Sequence, residues 1–523
     1  MPPSEPAALP AAPMDLTERI RAVLALDPGA DAVEFEGRWH SWGELAAIAE
    51  AVDAALERSG CGPGAPVGML LRNRPEMVGA MLGVLLGRRC IVTVSPHQGD
   101  ARLGEEIRAL VPPALVASAD EWDRPGLAAA CADLGIAAVR VGSGTEAGAD
   151  LLPGLDRVGP GLHREAQPGI AIEMLTSGTT GPPKRIPLAY SAFERTIGAA
   201  GRHYRQGADG DAEPRLALRS GVAIVNAPFV HMSGIFRTLL NVCEGRRVAL
   251  LDRFTVDEWV VLVRRHRPRA VSLVPTALRM VLDAEVDSAD LASIEVVTSG
   301  SARLDPETQR AFEARFGVAV LPSYGATEFA GGVAGWTLPL HREWGDRKLG
   351  SVGRPQPGRV LRTVDAATGG PGAAGEVGLL EVGTTDGDDW VRTTDLARID
   401  DDGFVWIVGR TDDAILRGGF KVFPGDIAAV LRRHPAIRDV GVTSLPDDRL
   451  GAVPVAAVEL RPGEDVGADA LLAHLREHLA PYQVPREVRV VEHLPRTPSL
   501  KVSAPGVRAL FDADPDPDPE EPR

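Results

Sequence analysis

Lysine is scarce in this sequence. Of its 56 basic residues only four are lysine, Lys184, Lys348, Lys421 and Lys501. An ammonium is a point charge with rotatable donors, whereas a guanidinium is a rigid fork, so positions that kept lysine are candidates for sites where arginine cannot serve. Lys348 falls outside every motif below and is read as incidental. Cysteine is equally rare: Cys61, Cys90, Cys131 and Cys243 are scattered with no Cys-x-x-Cys spacing. That fits neither a disulfide framework nor a zinc site and leaves four small buried hydrophobes. No apolar run approaches the ~20 residues of a membrane helix. The Pro/Ala-rich stretch Met1 to Met14 carries no basic residue, so no secretory signal is expected and the cytoplasm is the default compartment. Positive charge is lacking overall, and a net charge of −16 argues against general nucleic-acid binding while leaving room for a local basic pocket.

What is present is enough apolar residue, 44% of 523, to build at least two cores. Residues 15 to 170 alternate helix and strand. Ser41-Trp42-Gly43-Glu44 is a capping box opening a helix with Leu45, Ile48, Ala49, Val52 and Leu56 on one face and a stop near Gly60. Val67 to Leu71 reads as a strand, Pro75 to Leu86 as a helix and Cys90 to Val94 as a strand, the βαβ cadence of a parallel sheet.

The stretch that carries chemistry is Leu175-Thr176-Ser177-Gly178-Thr179-Thr180-Gly181-Pro182-Pro183-Lys184. A strand over Ala171 to Leu175 and a helix over Ser191 to Gly201 place it at a strand-to-helix junction, where free backbone N–H groups collect. Glycines let the backbone close on an anion, hydroxyls donate to phosphate oxygens, and lysine supplies a charge that follows a polyphosphate. A solvated polar loop is the competing reading, which the terminal lysine disfavours. It is not a Walker loop, because Gly178 and Gly181 are three apart and Lys184 follows two prolines.

A second signal is Tyr324-Gly325-Ala326-Thr327-Glu328. A tyrosine ring can stack on a purine, Gly-Ala permits close approach, Thr327 can reach a phosphate, and Glu328 can hold the Mg²⁺ that a triphosphate requires. Upstream, a strand over Ile294 to Thr298 opens into Ser299-Gly300-Ser301-Ala302-Arg303. These small residues leave room for a ligand at the carboxyl end of a parallel sheet, a tight turn being the equal alternative. Downstream, Phe329 to Gly335 offers little side-chain volume, so a pocket walled by it would be deep there. From Gly358 to Gly409 short strands with Gly/Asp turns suggest a small β subdomain, in which Asp395 is suited to pairing with ribose hydroxyls. Glycines and charged residues after Gly409 suit a linker between two differently patterned regions.

The first loop resembles the phosphate-binding loop of the adenylate-forming superfamily, which contains acyl-CoA and aryl-CoA synthetases, peptide-synthetase adenylation domains and beetle luciferases. Tyr324 to Glu328 is similar to the same superfamily's adenine and magnesium motif. Arg410 to Ile427 resembles its hinge, and Pro495-Arg496-Thr497-Pro498-Ser499-Leu500-Lys501 its C-terminal lysine loop. The likeness runs from about residue 20 to 510. It implies an α/β fold: a large N-terminal core (15–411) of parallel-rich βα sheets plus a β subdomain, and a small mobile α+β domain (412–511). The tails 1–14 and 512–523, the latter an acidic Asp-Pro repeat, are expected to be disordered.

Carried over residue by residue, the resemblance gives the phosphates to Thr176, Ser177, Gly178, Thr179, Thr180, Gly181 and Lys184. The nucleotide site takes Ser301, Ala302, Tyr324, Gly325 and Ala326, with Thr327 and Glu328 at the phosphates and metal. Asp395 and Arg410 would hold ribose, and Asp412 would be the pivot. Gly419 and Lys421 would skirt the pantetheine path, and Lys501 would stabilise charge during adenylation. His231, in Pro228-Phe229-Val230-His231 after a strand over Gly221 to Ala227, would gate the acyl pocket. No aspartate stands there to pair with a substrate amine, which disfavours an α-amino acid. Three positions depart from the pattern: Thr394 and Leu500 replace glycines, and Ala428 replaces a glutamate read as a surface contact.

The implied reaction is ATP-dependent activation of an aryl or medium-chain acid to acyl-AMP with pyrophosphate release, then thioester formation with CoA. The alternatives are delivery to a carrier-protein thiol or another nucleophile, nitrite among the possible substrates, and a nucleotide-binding homologue without catalysis. A dinucleotide oxidoreductase is disfavoured because no Gly-x-Gly-x-x-Gly follows the first strand.

Overall fold

The computed structural model describes residues 14–142, 147–175, 184–205, 216–365, 368–385, 387 and 390–512. The expected tails at 1–13 and 513–523 and the loop Thr176 to Pro183 lie outside these. The chain packs into two compact units. One holds the described residues up to Met174 with Ile186–Arg253 and Thr327–Gly331; the other holds the remainder.

The first unit is built on a seven-stranded sheet whose central strands, Pro66–Leu70, Cys90–Val94, Ala114–Ser118 and Ala137–Gly142, run parallel. All but the last are buried on both faces, which is why they read as continuous apolar runs rather than alternations. Helix Trp42–Ser59 opens on the reciprocal Ser41/Glu44 capping box and closes on Gly60 in the left-handed region at φ 95°. Its apolar face packs on helix Pro75–Leu86, and a Cβ placed on Gly83 would lie 2.4 Å from the Ala49 carbonyl oxygen. Glycine there lets the two helices close. Trp42, Leu45, Ile48 and Leu56 are buried in this core, each such side chain worth about 1.5–3 kcal/mol of burial.

A four-stranded sheet completes the first unit, with Arg219–Val225 and Arg246–Leu250 parallel. Asn73 ties their ends together. Its Nδ2 donates to the carbonyls of Ala227 and Leu251, both at 3.0 Å, and its Oδ1 accepts from the Phe229 amide at 2.8 Å. One buried side chain thus fixes the strand end that leads to His231.

In the second unit, Ala270–Ser272, Val296–Ser299 and Ala319–Ala326 run parallel. An antiparallel sheet of Arg359–Val364, Val377–Thr384, Val391–Ile399 and Val405–Arg410 forms the expected β subdomain. The C-terminal portion has strands Ile437–Asp447, Gly451–Leu460 and Glu487–Val491 with helices Pro424–Arg432, Ala468–His478 and Ala504–Asp512. Helix Pro275–Asp283 reaches this portion through charge. Buried Asp439 takes the guanidinium of Arg279 at 3.1 Å and that of Arg496 at 2.9 Å, with Arg432 at 3.7 Å, while Arg438 pairs with Asp283 at 2.8 Å.

Three expectations are corrected. The phosphate-type loop does not run straight into a helix: strand Arg185–Ala189 intervenes, and the helix starts at Tyr190. Pro187 masked this strand, and it is tolerated because the strand is the edge of the seven-stranded sheet. Ala428 is not at the surface but buried in the core beneath helix Pro424–Arg432. Lys348 is not incidental, since it bridges Asp400, at 2.7 Å, and Asp402, at 2.5 Å. The four cysteines are free and buried as expected. Among the described residues no helix is long and apolar enough to cross a membrane.

Candidate active site

Strand Ala319–Ala326 carries Tyr324, Gly325 and Ala326 to its carboxyl end, next to the end of strand Val296–Ser299. Ser301 and Ala302 follow that neighbour, exposed, with Ser301 at φ 70°. A non-glycine residue held in the left-handed region costs free energy, and such positions concentrate at ligand sites. A Cβ on Gly300 would lie 2.8 Å from the Ser323 Oγ, so this turn passes close against the tyrosine strand.

The Tyr324 hydroxyl donates to the Asp395 carboxylate. Burial and that carboxylate push the phenol well above its ordinary pKa, so it remains a donor. Asp395 sits in strand Val391–Ile399 directly opposite Arg410, and their charged groups are 3.7 Å apart. Thr394, which replaces a glycine, lies in this extended strand, where a β-branched residue fits; its carbonyl accepts from the Thr411 amide at 2.8 Å.

Arg410 also grips Asp412 with two parallel bonds, Nε to Oδ1 at 2.9 Å and an Nη to Oδ2 at 2.8 Å. The pair drives both groups towards charge: Arg410 is raised and Asp412 lowered, each chiefly by this contact. The expected ribose arginine and the expected pivot are therefore one ion pair.

Lys501 is half-buried in the same unit. Burial lowers its pKa, and the Arg410 guanidinium is near enough to lower it further. Its loop is a three-residue hairpin. The Thr497 carbonyl accepts from the Leu500 amide at 2.9 Å, the Thr497 amide donates to the Lys501 carbonyl at 2.8 Å, and Arg496 bridges Val502. Such hairpins place a left-handed residue last, usually glycine; here it is Leu500 at φ 64°. Gly418 and Gly419, both with positive φ, make the two-residue turn between Ile415–Arg417 and Phe420–Val422. Lys421 is exposed on the second of these strands.

In the first unit, His231 is half-buried and caps helix Met232–Cys243 through its backbone. Thr327 and Glu328 form a short 3₁₀ turn leading to Phe329. Glu328 is exposed and, among the described residues, makes no hydrogen bond or ion pair, which leaves its oxygens open to a hard cation. Two residues escaped the sequence reading. The Thr196 hydroxyl donates to the carbonyls of Ala192, at 2.8 Å, and Phe329, at 3.2 Å. A Cβ on Gly331 would lie 2.6 Å from Thr196 Cγ2 and 3.3 Å from the Phe236 ring. The space beside Gly331 is thus taken by Thr196 and Phe236. No motif in the sequence marks either of them. Lys184 is exposed at the start of the segment leading to strand Arg185–Ala189; the other loop residues, Thr176 to Gly181, lie outside the described residues.

A family model described as AMP-binding enzyme matches residues 20–386, and one described as AMP-binding enzyme C-terminal domain matches 426–501. The indoleacetate–CoA ligase of Aromatoleum aromaticum is 30% identical, aligned over 95% of this chain and 98% of its own. The sulfoacetate–CoA ligase of Cupriavidus necator is 30% identical over 88% and 91%. The fold is that of ATP-bound MatB from Rhodopseudomonas palustris, with a TM-score of 0.79 and 24% identity over 95% of this chain and 99% of that one.

Proposed function

The chain belongs to the AMP-binding enzyme family, and from that premise we propose that it is an acid–thiol ligase that activates an aryl carboxylic acid through acyl-AMP and transfers the acyl group to CoA. The observation that carries the reading is the grouping of Tyr324, Asp395, Arg410 and Lys501 within one unit. In the first half-reaction a carboxylate oxygen attacks the α-phosphorus of ATP, and the bond to the β-phosphate oxygen breaks, giving acyl-AMP and pyrophosphate. Tyr324 would stack on adenine, with Ser301, Ala302, Gly325 and Ala326 beside it. Asp395 and Arg410 would hold the ribose, and Thr176 to Gly181 with Lys184 and Thr327 the phosphates. Lys501 would offset the charge developing between carboxylate and α-phosphate, in a site where burial strengthens the interaction. Glu328 would hold Mg²⁺, which when bound draws charge from the polyphosphate.

In the second half-reaction the thiolate of CoA attacks the acyl carbon and AMP leaves. Rotation of residues 412–511 about Asp412 would withdraw Lys501 and bring Gly419 and Lys421 to the pantetheine path. The acid is inferred from the acyl wall. Phe236 against Gly331, with His231 one turn earlier on the same helix, favours a flat ring, and indoleacetate is the substrate named for one relative.

The test is pyrophosphate release from Mg-ATP across aryl, cinnamyl, fatty and amino acids, with and without CoA, alongside Lys501→Ala. Aryl-dependent release that CoA accelerates and Lys501→Ala abolishes is expected. Release indifferent to CoA would transfer the acceptor role to a carrier-protein thiol or another nucleophile, and ATP binding without release for any acid would overturn the ligase.

A further inference from the structure

The last turns of helix Ala468–His478 read His474-Leu475-Arg476-Glu477-His478. Residues four apart on a helix lie one above the other on one face. Here one ligating atom from each of His474, Glu477 and His478 falls within 4.8 Å of the other two, and the two imidazole centroids are 4.6 Å apart. His474 is half-buried and the other two are exposed.

Each imidazole has one nitrogen already committed. His474 Nε2 lies 3.3 Å from the Val430 carbonyl oxygen, and His478 Nδ1 lies 2.9 Å from the His474 carbonyl oxygen. A carbonyl only accepts, so those two nitrogens carry the protons, and the lone pairs sit on His474 Nδ1 and His478 Nε2. Metal-binding histidines are fixed in the same way, with the second ring nitrogen donating to a backbone carbonyl. His434 packs edge-on against His474 at 5.2 Å. Its Nδ1 accepts the Ala436 amide at 3.3 Å, so its proton sits on Nε2 and it orients His474 rather than offering a lone pair. The cluster also occupies the C-terminal end of its helix, where the backbone carbonyls favour a cation.

We propose that His474, Glu477 and His478 form a Zn²⁺ site. Two imidazoles, one carboxylate and water from the open side make a tetrahedral set of the type zinc prefers. The same His-x-x-Glu-His spacing serves hydrolysis in zinc peptidases, but on an exposed helix end the ion is structural. It cross-links the last two turns of Ala468–His478, which His474 already joins to helix Pro424–Arg432 through Val430. The site rests on residues separate from the proposed ligase chemistry, so it stands or falls independently of that reading.

The experiment is calorimetric titration of the full chain with ZnCl₂ in a non-chelating buffer, paired with thermal unfolding with and without Zn²⁺. Wild type is expected to bind one equivalent most tightly and to unfold at a higher temperature with it. His478→Ala, at an exposed position, should weaken that equivalent by about tenfold or more, at least what outer-shell partners of metals cost. Glu477→Gln should weaken it less, and the thermal shift should shrink in the same order. Zn²⁺ binding no tighter in wild type than in His474→Ala/His478→Ala, or a thermal shift undiminished in His478→Ala, would overturn the site.

Discussion

Tyr324 donates its hydroxyl to Asp395, 71 residues away in sequence, and so occupies one oxygen of the carboxylate proposed to hold the ribose. The ring and the hydroxyl then have separable roles. Tyr324→Phe keeps the stacking face and frees the carboxylate, so kcat/KM for ATP should stay within several-fold of wild type. Tyr324→Ala removes the face, and base stacking is worth about 1–3 kcal/mol, so kcat/KM should fall by roughly 5- to 150-fold. Equal losses in the two variants would show that the hydroxyl, not the ring, is what matters.

In the role proposed for it Lys501 must be charged to stabilise the adenylation transition state, and burial together with Arg410 lowers its pKa below the ordinary 10.5. A lowered lysine sheds its proton earlier as pH rises. The kcat/KM profile, which reports the free enzyme, should therefore lose activity on an alkaline limb that begins below 10.5. Lys501→Arg should be slower but lack that limb up to about pH 12, since guanidinium does not titrate there. An alkaline limb unchanged in Lys501→Arg assigns it to another group.

Much of this arrangement was legible in the sequence because local rules and the global fold agree. Helix Pro75–Leu86 and strand Cys90–Val94 have the bounds expected of them, set by glycine or proline punctuation or by an apolar run. Tyr324 and Asp395 are meaningful as residue types at their place in the pattern, whereas Arg410 was marked only by the family resemblance, and Lys501 by it and by the scarcity of lysine. What stayed hidden depends on tertiary context. Strand Arg185–Ala189 was concealed by Pro187, whose missing N–H is harmless only at a sheet edge. Thr196 and Phe236 come together only where two helices meet Gly331. The Arg410–Asp412 pair could not be foreseen from two residues assigned to different tasks.

Asp439 joins strand Ile437–Asp447 to Arg279 on helix Pro275–Asp283, with Arg432 and Arg496 around it. Burial opposes its charge, yet the three guanidiniums hold its carboxyl below the ordinary 3.8. A depressed folded pKa means stabilisation that is complete above the unfolded value and lost as pH falls through the folded one. Asp439→Asn removes the carboxylate from half-buried Arg279 and Arg432, while Arg496 keeps Glu459, and should cost at most about 3–5 kcal/mol near pH 7, read by urea unfolding. The gap to wild type should narrow as pH falls below 3.8. A constant gap across that range would mean that packing, not charge, is what the substitution disturbs.

Leu500 stands at the one position of its hairpin that calls for a left-handed backbone, at φ 64°, and its side chain lines a small cavity with Thr276 and Met280. Two effects oppose each other. Left-handed backbone costs an L-residue about 1–2 kcal/mol, and glycine would relieve that while losing the side-chain contact and about 0.5–1 kcal/mol of chain entropy. Leu500→Gly should therefore change stability by less than about 1 kcal/mol. Valine keeps apolar bulk but is β-branched, for which positive φ is a severe outlier, so Leu500→Val should destabilise clearly more than Leu500→Gly. Because Lys501 follows directly in the same hairpin, Leu500→Val should also depress pyrophosphate release more than Leu500→Gly does. The reverse order, with glycine the worse of the two, would mean that the leucine side chain and not the backbone turn holds the lysine loop in place.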